Sequence, residues 1–579
     1  MEKKLETIPY APPPPKRAPC KRYVALTAAL ATAACFWSFP ALARVPHGII
    51  GGGGSVRVNH DKVVDAWCPL SKTPSGAQDG LEQSSKFLDE ASIAKQVERL
   101  SAAIRVPTES HDDNGDVDVD PRYKTFYEFH DTLAQLFPLV HEKLQLEKIN
   151  KYGLLYTFPG SSSELKPALF MAHQDVVPAT NPERWAHPPY EPYYDGKFLW
   201  GRGSVDCKTN LIGILSAVED LLEQDFQPKR TLILSFGFDE EVGGDRGAYE
   251  LAAELNRRYE PESIAFIIDE GGMGLTALGD HVYALPGVGE KGYADLLITV
   301  SVDGGHSSRP PPHTGIGIMA ELISELEANP YSPRLTQDNP FRGLLECQAK
   351  YSPKEVEPWL RHALSSRHTD EKRLGTRLAK AREDDRFIIQ TSQAVDIIRG
   401  GEKVNALPEM VTAAVNYRIA SHDSVEKVKE RAAKLLRPIA HKHHLSLDAF
   451  DFSDSPSGKY SAGSVTINTT LYMPPAPISP TTLDNPVWSL FSGTVRQVFE
   501  DIPAYKGKTV VPVGDIMTGN TDTRHYWDLT KNIYRFGPSR DGTRFNAHTI
   551  DERVEMVAHA EGVRFYYDLI RNFDAAEGF

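Results

Sequence analysis

Cysteine is scarce in this chain, with five in 579 residues. Cys20 and Cys35 fall in or before an apolar N-terminal segment, leaving Cys68, Cys207 and Cys347 in the body. No two are spaced C-x-x-C, so a thiolate zinc site or a dithiol redox motif has no support. One disulfide among the three body cysteines is compatible with the sequence, with its pairing open. A surplus of positive charge is also missing. The formal net charge of −14 argues against nucleic acid as a partner, because phosphate binding needs a basic face. No fixed-period repeat is present, which excludes a solenoid or propeller. The acid-rich run "DDNGDVDVD" at 112–120 lacks the Glu that closes an EF-hand loop and reads as solvated.

What is present is a globular composition, 41% hydrophobic and 25% charged, long enough for two or three domains. The first 22 residues are basic and Pro-rich, and the "PPPP" at 12–15 reads as part of a disordered tail. Residues 23–43, "YVALTAALATAACFWSFPALA", carry no charge and can span about 30 Å of hydrocarbon as a helix. Positive charge on the N-terminal side predicts a cytosolic tail (1–22) and a transmembrane signal anchor (23–43), with the body in a secretory lumen. A cleaved signal peptide ending at "ALA" is the alternative. Asn468 in "NTT" is a glycosylation acceptor usable only in such a compartment. Residues 44–90, with "GIIGGGGS", read as a flexible linker.

From residue 91 the texture is α/β. "PALFMAH", "TLILSFGF" and "SIAFIID" read as buried parallel strands, with "NLIGILSAVEDLLEQ" as an intervening helix. This rhythm predicts a mostly parallel sheet with helices on both faces. After 290, half-buried alternation ("YADLLITVSVDGG", "VTAAVNYRIA") and two amphipathic helices predict an inserted α+β domain. The expected boundaries are 91–290 and 445–579 for the main domain and 291–444 for the insertion.

Open α/β sheets bind ligands beyond the carboxyl ends of their strands. The three apolar runs end in "HQD" (His173, Asp175), in "DEEVGG" (Glu240, Glu241) and in "DEGG" (Asp269, Glu270), and "GRGSVDCK" adds Asp206 before a helix. Alone, each has a bland reading: a surface HxD, a solvated acid pair, a helix cap. Together they form a sulfur-free set of N and O ligands at one edge. Two carboxylates about 4 Å apart repel by roughly 4 kcal/mol at an effective dielectric near 20, and divalent cations would offset that repulsion.

The stretches "MAHQDVVP", "DGKFLWGRGSVDCKTN", "FGFDEEVGG", "IIDEGG", "GGHSSRPP", "NALP", "NYR" and "NAHTIDER" resemble, in order and spacing, the aminoacylase and carboxypeptidase group of co-catalytic zinc peptidases. Within that group the chain looks most like the fungal vacuolar Gly-Xaa carboxypeptidases. The resemblance implies a zinc-peptidase catalytic domain interrupted by a lid or dimerisation-type domain, with two zinc ions, manganese or cobalt being acceptable to the same ligands. It implies that His173 and Asp269 bind one metal, Asp206 bridges, and Glu241 and His548 bind the second, with Glu270 the alternative to Asp269. Asp175 would orient the His173 ring, Glu240 would be the general base, and His306 would stabilise the oxyanion from its own chain or across a dimer. A substrate carboxylate needs a guanidinium clamp, for which Arg418 with Asn405 is the candidate and Arg524 the second. An Arg418 paired only to a surface acid is the blander reading. The expected activity is release of a C-terminal residue from short peptides, with N-acyl amino acid hydrolysis the near alternative and a non-catalytic receptor the distant one. The oligomeric state is open. Cys207 reads as packing.

Overall fold

The sheet that carries the chemistry is assembled from strands that alternate their side chains between two apolar clusters. In this computed structural model, residues 67–76, 79–366, 369–450, 452–454 and 462–578 are described. The first helix, α1, spans Glu90–Arg105, with Asp89 capping it by accepting from the Ser92 N–H. The main domain continues with β1 (Gln145–Ile149), β2 (Gly153–Phe158), β3 (Ala168–His173), α2 (Lys208–Glu223), β4 (Leu232–Gly237), α3 (Ala248–Arg258), β5 (Phe266–Asp269) and β6 (Gly287–Glu290). The insertion supplies β7 (Gly292–Val302), β8 (Gly305–His306), α4 (Gly315–Ala328), β9 (Ser392–Gly400), β10 (Ala406–Leu407), β11 (Met410–Ile419), α5 (Val425–Lys442), β12 (Ser446–Ala449), β13 (Phe452–Asp454) and β14 (Gly463–Met473). The chain then forms α6 (Pro486–Phe499), β15 (Asp515–Met517), β16 (Ile533–Arg535) and α7 (Met556–Ala575).

The main sheet has the order β1-β2-β4-β3-β5-β16-β6-β15. Its centre, β4-β3-β5-β16, is parallel, while β1 and β2 add antiparallel at one side and β6 pairs antiparallel with β16. Period-2 alternation sends Tyr156, Phe170, Leu234 and Ile268 into one cluster with α2, α6 and α7, and Leu155, Leu169, Ile233 and Ile267 into the other with α3. Both faces are therefore covered, and β3, β4 and β5 are buried at every position. The helix α3 buries one stripe, Ala248, Leu251, Ala252 and Leu255. The helices α2 and α7 are buried almost all round because they pack on each other, α2 also on β3 and α1, and α7 also on α6 and α1.

The insertion forms a second sheet, β9-β11-β7-β14-β12-β13. Its strand β7 alternates, burying Ala294, Leu296, Ile298 and Val300 against α4 and α5. This sheet corrects the expected return to the main domain at 445. The strand β14 pairs with β7 along its length and buries Val465 and Ile467 in the insertion core. Only Val465 and Ile467 alternate as buried aliphatics before the polar run Asn468, Thr469 and Thr470, so the strand signal in sequence is short. The insertion is also not uniform. Helices at Pro340–Tyr351, Pro358–Ser365 and Glu371–Ala381 pack instead on Tyr283, Leu285, Val511 and Val513.

The expected linker is corrected in its second half. Trp67, Cys68 and Leu70 pack on the helical segment, Cys68 is disulfide-bonded to Cys347, and Arg571 binds Asp79. Apolar and covalent anchoring of this kind is incompatible with a flexible stalk. The tail and the apolar segment 23–43 lie outside the described residues. Among the described residues, no helix is long and apolar enough to cross a membrane.

Candidate metal centre

The parallel register places the chemical residues together. His173 is the last residue of β3 and is paired with Gly237, the last of β4, while Asp269 ends β5. Past Gly237 the chain turns through a short 3-10 segment, Glu240–Val242, and leaves through Gly243 and Gly244 at φ 109° and 70°. Those angles are open to glycine at little cost.

Asp206 stands at the centre. One carboxylate oxygen, Oδ1, lies 3.1 Å from His173 Nε2, and the other, Oδ2, lies 3.0 Å from His548 Nε2. The same His548 nitrogen is 3.1 Å from Glu241 Oε2. Asp206 thus faces two imidazoles from opposite oxygens, in two triads, His173–Asp206–Cys207 and Asp206–Glu241–His548. The Cys207 sulfur accepts the His173 backbone N–H at 3.3 Å. The Asp206–Cys207 peptide is cis.

Backbone N–H groups hold the acids in place. Asp175 accepts from Glu240 N and Glu241 N, both at 3.1 Å, and its Oδ1 is 3.3 Å from His173 Nδ1. It therefore steadies the acidic turn as well as the histidine ring. Asp239 is buried and accepts from Arg246 N and Gly247 N at 2.8 Å, a structural task distinct from its neighbours'. Burial, then Asp175, pushes its carboxyl up to about 7. Glu552 accepts from Gly203, Val205 and Asp206 N–H and from Arg202 Nη1, fixing the loop that presents Asp206. Sequence reasoning missed Glu552, although it lies within "NAHTIDER".

The electrostatics are those of a site short of positive charge. Burial works against Asp206, but His173 and His548 hold it well below the usual carboxylate range. Asp206 and Glu241 in turn raise His548 to about 10. Burial and then Asp206 push Glu270 to about 8, and burial raises Asp269 to about 6. Glu241 Oε1 and Asp269 Oδ2 are buried with no hydrogen-bond partner. Orphaned carboxylate oxygens are costly unless a cation meets them. The donor set fits a pair of zinc-type ions with imidazole and carboxylate ligands.

Glu240 and Glu241 open onto a cavity of about 410 Å³ that is also lined by Arg418, Arg524, Tyr293, Asn520, Asp522 and His548. Arg418 lies opposite Tyr293 in the β7–β11 register, and its Nη1 donates to Asn520 Oδ1 at 3.3 Å. Arg524 Nη1 approaches the Tyr293 hydroxyl at 3.5 Å. Both expected guanidinium groups thus reach the cavity, and Arg418 is not tied to a surface acid by any ion pair among the described residues. His306 and Asn405 do not line it. They sit together and exposed on the β8–β10 pair, where Ser307 N donates to the Asn405 carbonyl.

Residues 169–572 match the model of Peptidase family M20/M25/M40. Carboxypeptidase S of Saccharomyces cerevisiae is 41% identical over 502 residues, covering 84% of this chain and 85% of that protein. The Homo sapiens N-fatty-acyl-amino acid synthase/hydrolase PM20D1 is 32% identical over 507 residues, covering 85% and 90%. Among solved structures, the dipeptidase Dug1p of Saccharomyces cerevisiae superposes with a TM-score of 0.57 at 13% identity, covering 86% of this chain and 99% of its own, a likeness of fold.

Proposed function

The chain belongs to Peptidase family M20/M25/M40 and is a hydrolase with a di-metal centre, and from that premise we propose that it is a metallocarboxypeptidase releasing the C-terminal amino acid of short, Gly-Xaa-type peptides. The observation that carries this reading is Asp206, whose two oxygens face His173 and His548. His173 and the Asp269–Glu270 pair would hold one zinc ion, Glu241 and His548 the other, and Asp206 both. When bound, such ions lower the pKa of water toward 7 and polarise a carbonyl oxygen.

The chain's own groups do the rest. Glu240 takes the proton of the attacking water and delivers it to the leaving nitrogen. Asp175 keeps Glu240 and Glu241 in register through their backbone N–H groups. Arg418 and Arg524, both lining the cavity beside Tyr293, clamp the substrate's terminal carboxylate. His306, which lies outside this chain's cavity, would supply the oxyanion donor from across a dimer. Residues 23–43 anchor the enzyme with its body in the vacuolar lumen, where the exposed Asn468 accepts a glycan. The 41% identity to carboxypeptidase S supports the carboxypeptidase reading. A second reading, N-acyl amino acid hydrolysis, is favoured by the 32% identity to PM20D1.

Replacing Glu240 with Gln tests the base. The variant should retain both metals by elemental analysis and lose turnover by at least about 10²–10⁴-fold. Near-wild-type turnover would remove Glu240 from the mechanism. Comparing Cbz-Gly-Leu with an N-acyl amino acid as substrates separates the two readings.

A further inference from the structure

A second group of metal-type ligands lies in the insertion and shares no residue with the centre above. His313, Glu321 and His443 each offer one ligand atom, all within 4.8 Å of one another. His443 Nε2 is 3.0 Å from Glu321 Oε2, and His313 Nδ1 is 3.8 Å from Glu321 Oε1. The imidazole centroids are 4.6 Å apart. Ligands at about 2.0–2.2 Å from a tetrahedral zinc ion stand about 3.3–3.6 Å from each other. The observed separations bracket that range. The 3.8 Å approach is too long for a hydrogen bond, yet suits two atoms sharing an ion.

Three separate elements deliver these residues, and each is held. His313 follows three prolines and immediately precedes Thr314, which caps α4 through the Gly317 N–H. Glu321 lies on α4. His443 is the C-cap of α5, its N–H bonded to the Ile439 and Ala440 carbonyls, and its side chain is buried to 6% exposure. His313 and His443 also line a cavity of about 550 Å³, which gives an open coordination position room for water or an exogenous ligand. Lys442 Nζ, 2.8 Å from Glu321 Oε2, is the cation that competes for this carboxylate.

We propose that His313, Glu321 and His443 form a third divalent-metal site, of zinc type, that clips the proline-rich loop 307–314 to α4 and α5. Two imidazoles and a carboxylate without sulfur suit zinc, cobalt or nickel over softer ions. The same loop follows His306, so the clip sets where that histidine stands while leaving the catalytic metals untouched.

Metal content tests this on the full-length enzyme saturated with Zn²⁺ and then desalted. Wild type should hold one zinc per chain more than His313→Ala, whose exposed side chain makes the substitution safe for folding. Glu321→Gln should lose the same equivalent. Lys442→Gln, which removes the competitor, should bind that zinc several-fold more tightly in a chelator competition. Equal zinc in wild type and His313→Ala overturns the proposal. So does unchanged or weaker binding of the additional zinc in Lys442→Gln.

Discussion

Arg418 offers the sharpest test of substrate recognition because its own fold contributions are small. It lies exposed at the end of β11, across from Tyr293, with a 3.3 Å hydrogen bond to Asn520. Replacing it with Ala leaves no buried group unpaired, so stability should change by no more than about 0.5 kcal/mol. A hydrogen bond between charged groups contributes about 1.5–3 kcal/mol. Loss of a carboxylate clamp should therefore raise KM for a free dipeptide about 10- to 150-fold, with kcat less affected. Arg524 also lies beside Tyr293, so the double replacement should cost less than the sum if both arginines hold one carboxylate. The assay compares each variant on a free-acid peptide and on its C-terminal amide. The amide lacks the group that Arg418 binds, and its hydrolysis should be nearly indifferent to the substitution. Equal losses on acid and amide would refute the clamp and leave Arg418 a structural residue.

Two further substitutions probe the frame of the site. Gly244 stands at φ 70°, and a Cβ there would lie within contact distance of an Asp522 carboxylate oxygen and 3.2 Å from the Ala248 Cβ. Gly244→Ala should cost about 1 kcal/mol or more in stability and lower kcat beyond that, because Asp522 lines the same cavity as Glu240. Unchanged kcat would show that the acidic turn tolerates displacement. Asp515, buried on β15, is pushed up to about 6 by burial. A raised folded pKa means that the native state binds the extra proton. Its stabilising contribution is complete below about pH 3.8 and is lost as pH rises through 6. Asp515→Asn should therefore gain up to about 3 kcal/mol over wild type above pH 6 and nothing near pH 3.5. Denaturant midpoints at the two pH values measure the difference, and a pH-independent offset would contradict it.

Much of this centre was legible because parallel strands end at one edge. His173, Glu240, Glu241 and Asp269 follow three apolar runs, and the register of β3 with β4 and β5 makes those runs neighbours. His548 was legible only through resemblance. It lies on a loop at φ 60°, with no periodicity to announce it. Tyr293 carries no motif of its own and reaches the cavity through long-range packing. The Cys68–Cys347 bond closes a separation of 279 residues, which no local pattern encodes. The late boundary of the insertion escaped for a related reason. The strand β14 alternates threonine and asparagine with its two buried aliphatics, and a strand's membership in a sheet depends on its partner more than on its own residues.

The acidic turn shows how the chain tolerates its own charge. Asp239, Glu240 and Glu241 follow one another, yet their repulsion is divided among different supports. The Asp239 carboxylate is taken up by two backbone N–H groups of the following turn. The backbone of Glu240 and Glu241 is held by Asp175, an acid that would otherwise add to the repulsion and instead uses its oxygens as acceptors. These bonds anchor the main chain and leave both glutamate side chains uncommitted. Glu241 then meets His548 with one oxygen and keeps the other, Oε1, buried without a partner. A turn built only for stability would have satisfied that oxygen from its own chain. The backbone hydrogen bonds stop where a cation would begin, and that division of labour argues for a metal centre more strongly than the acid count alone.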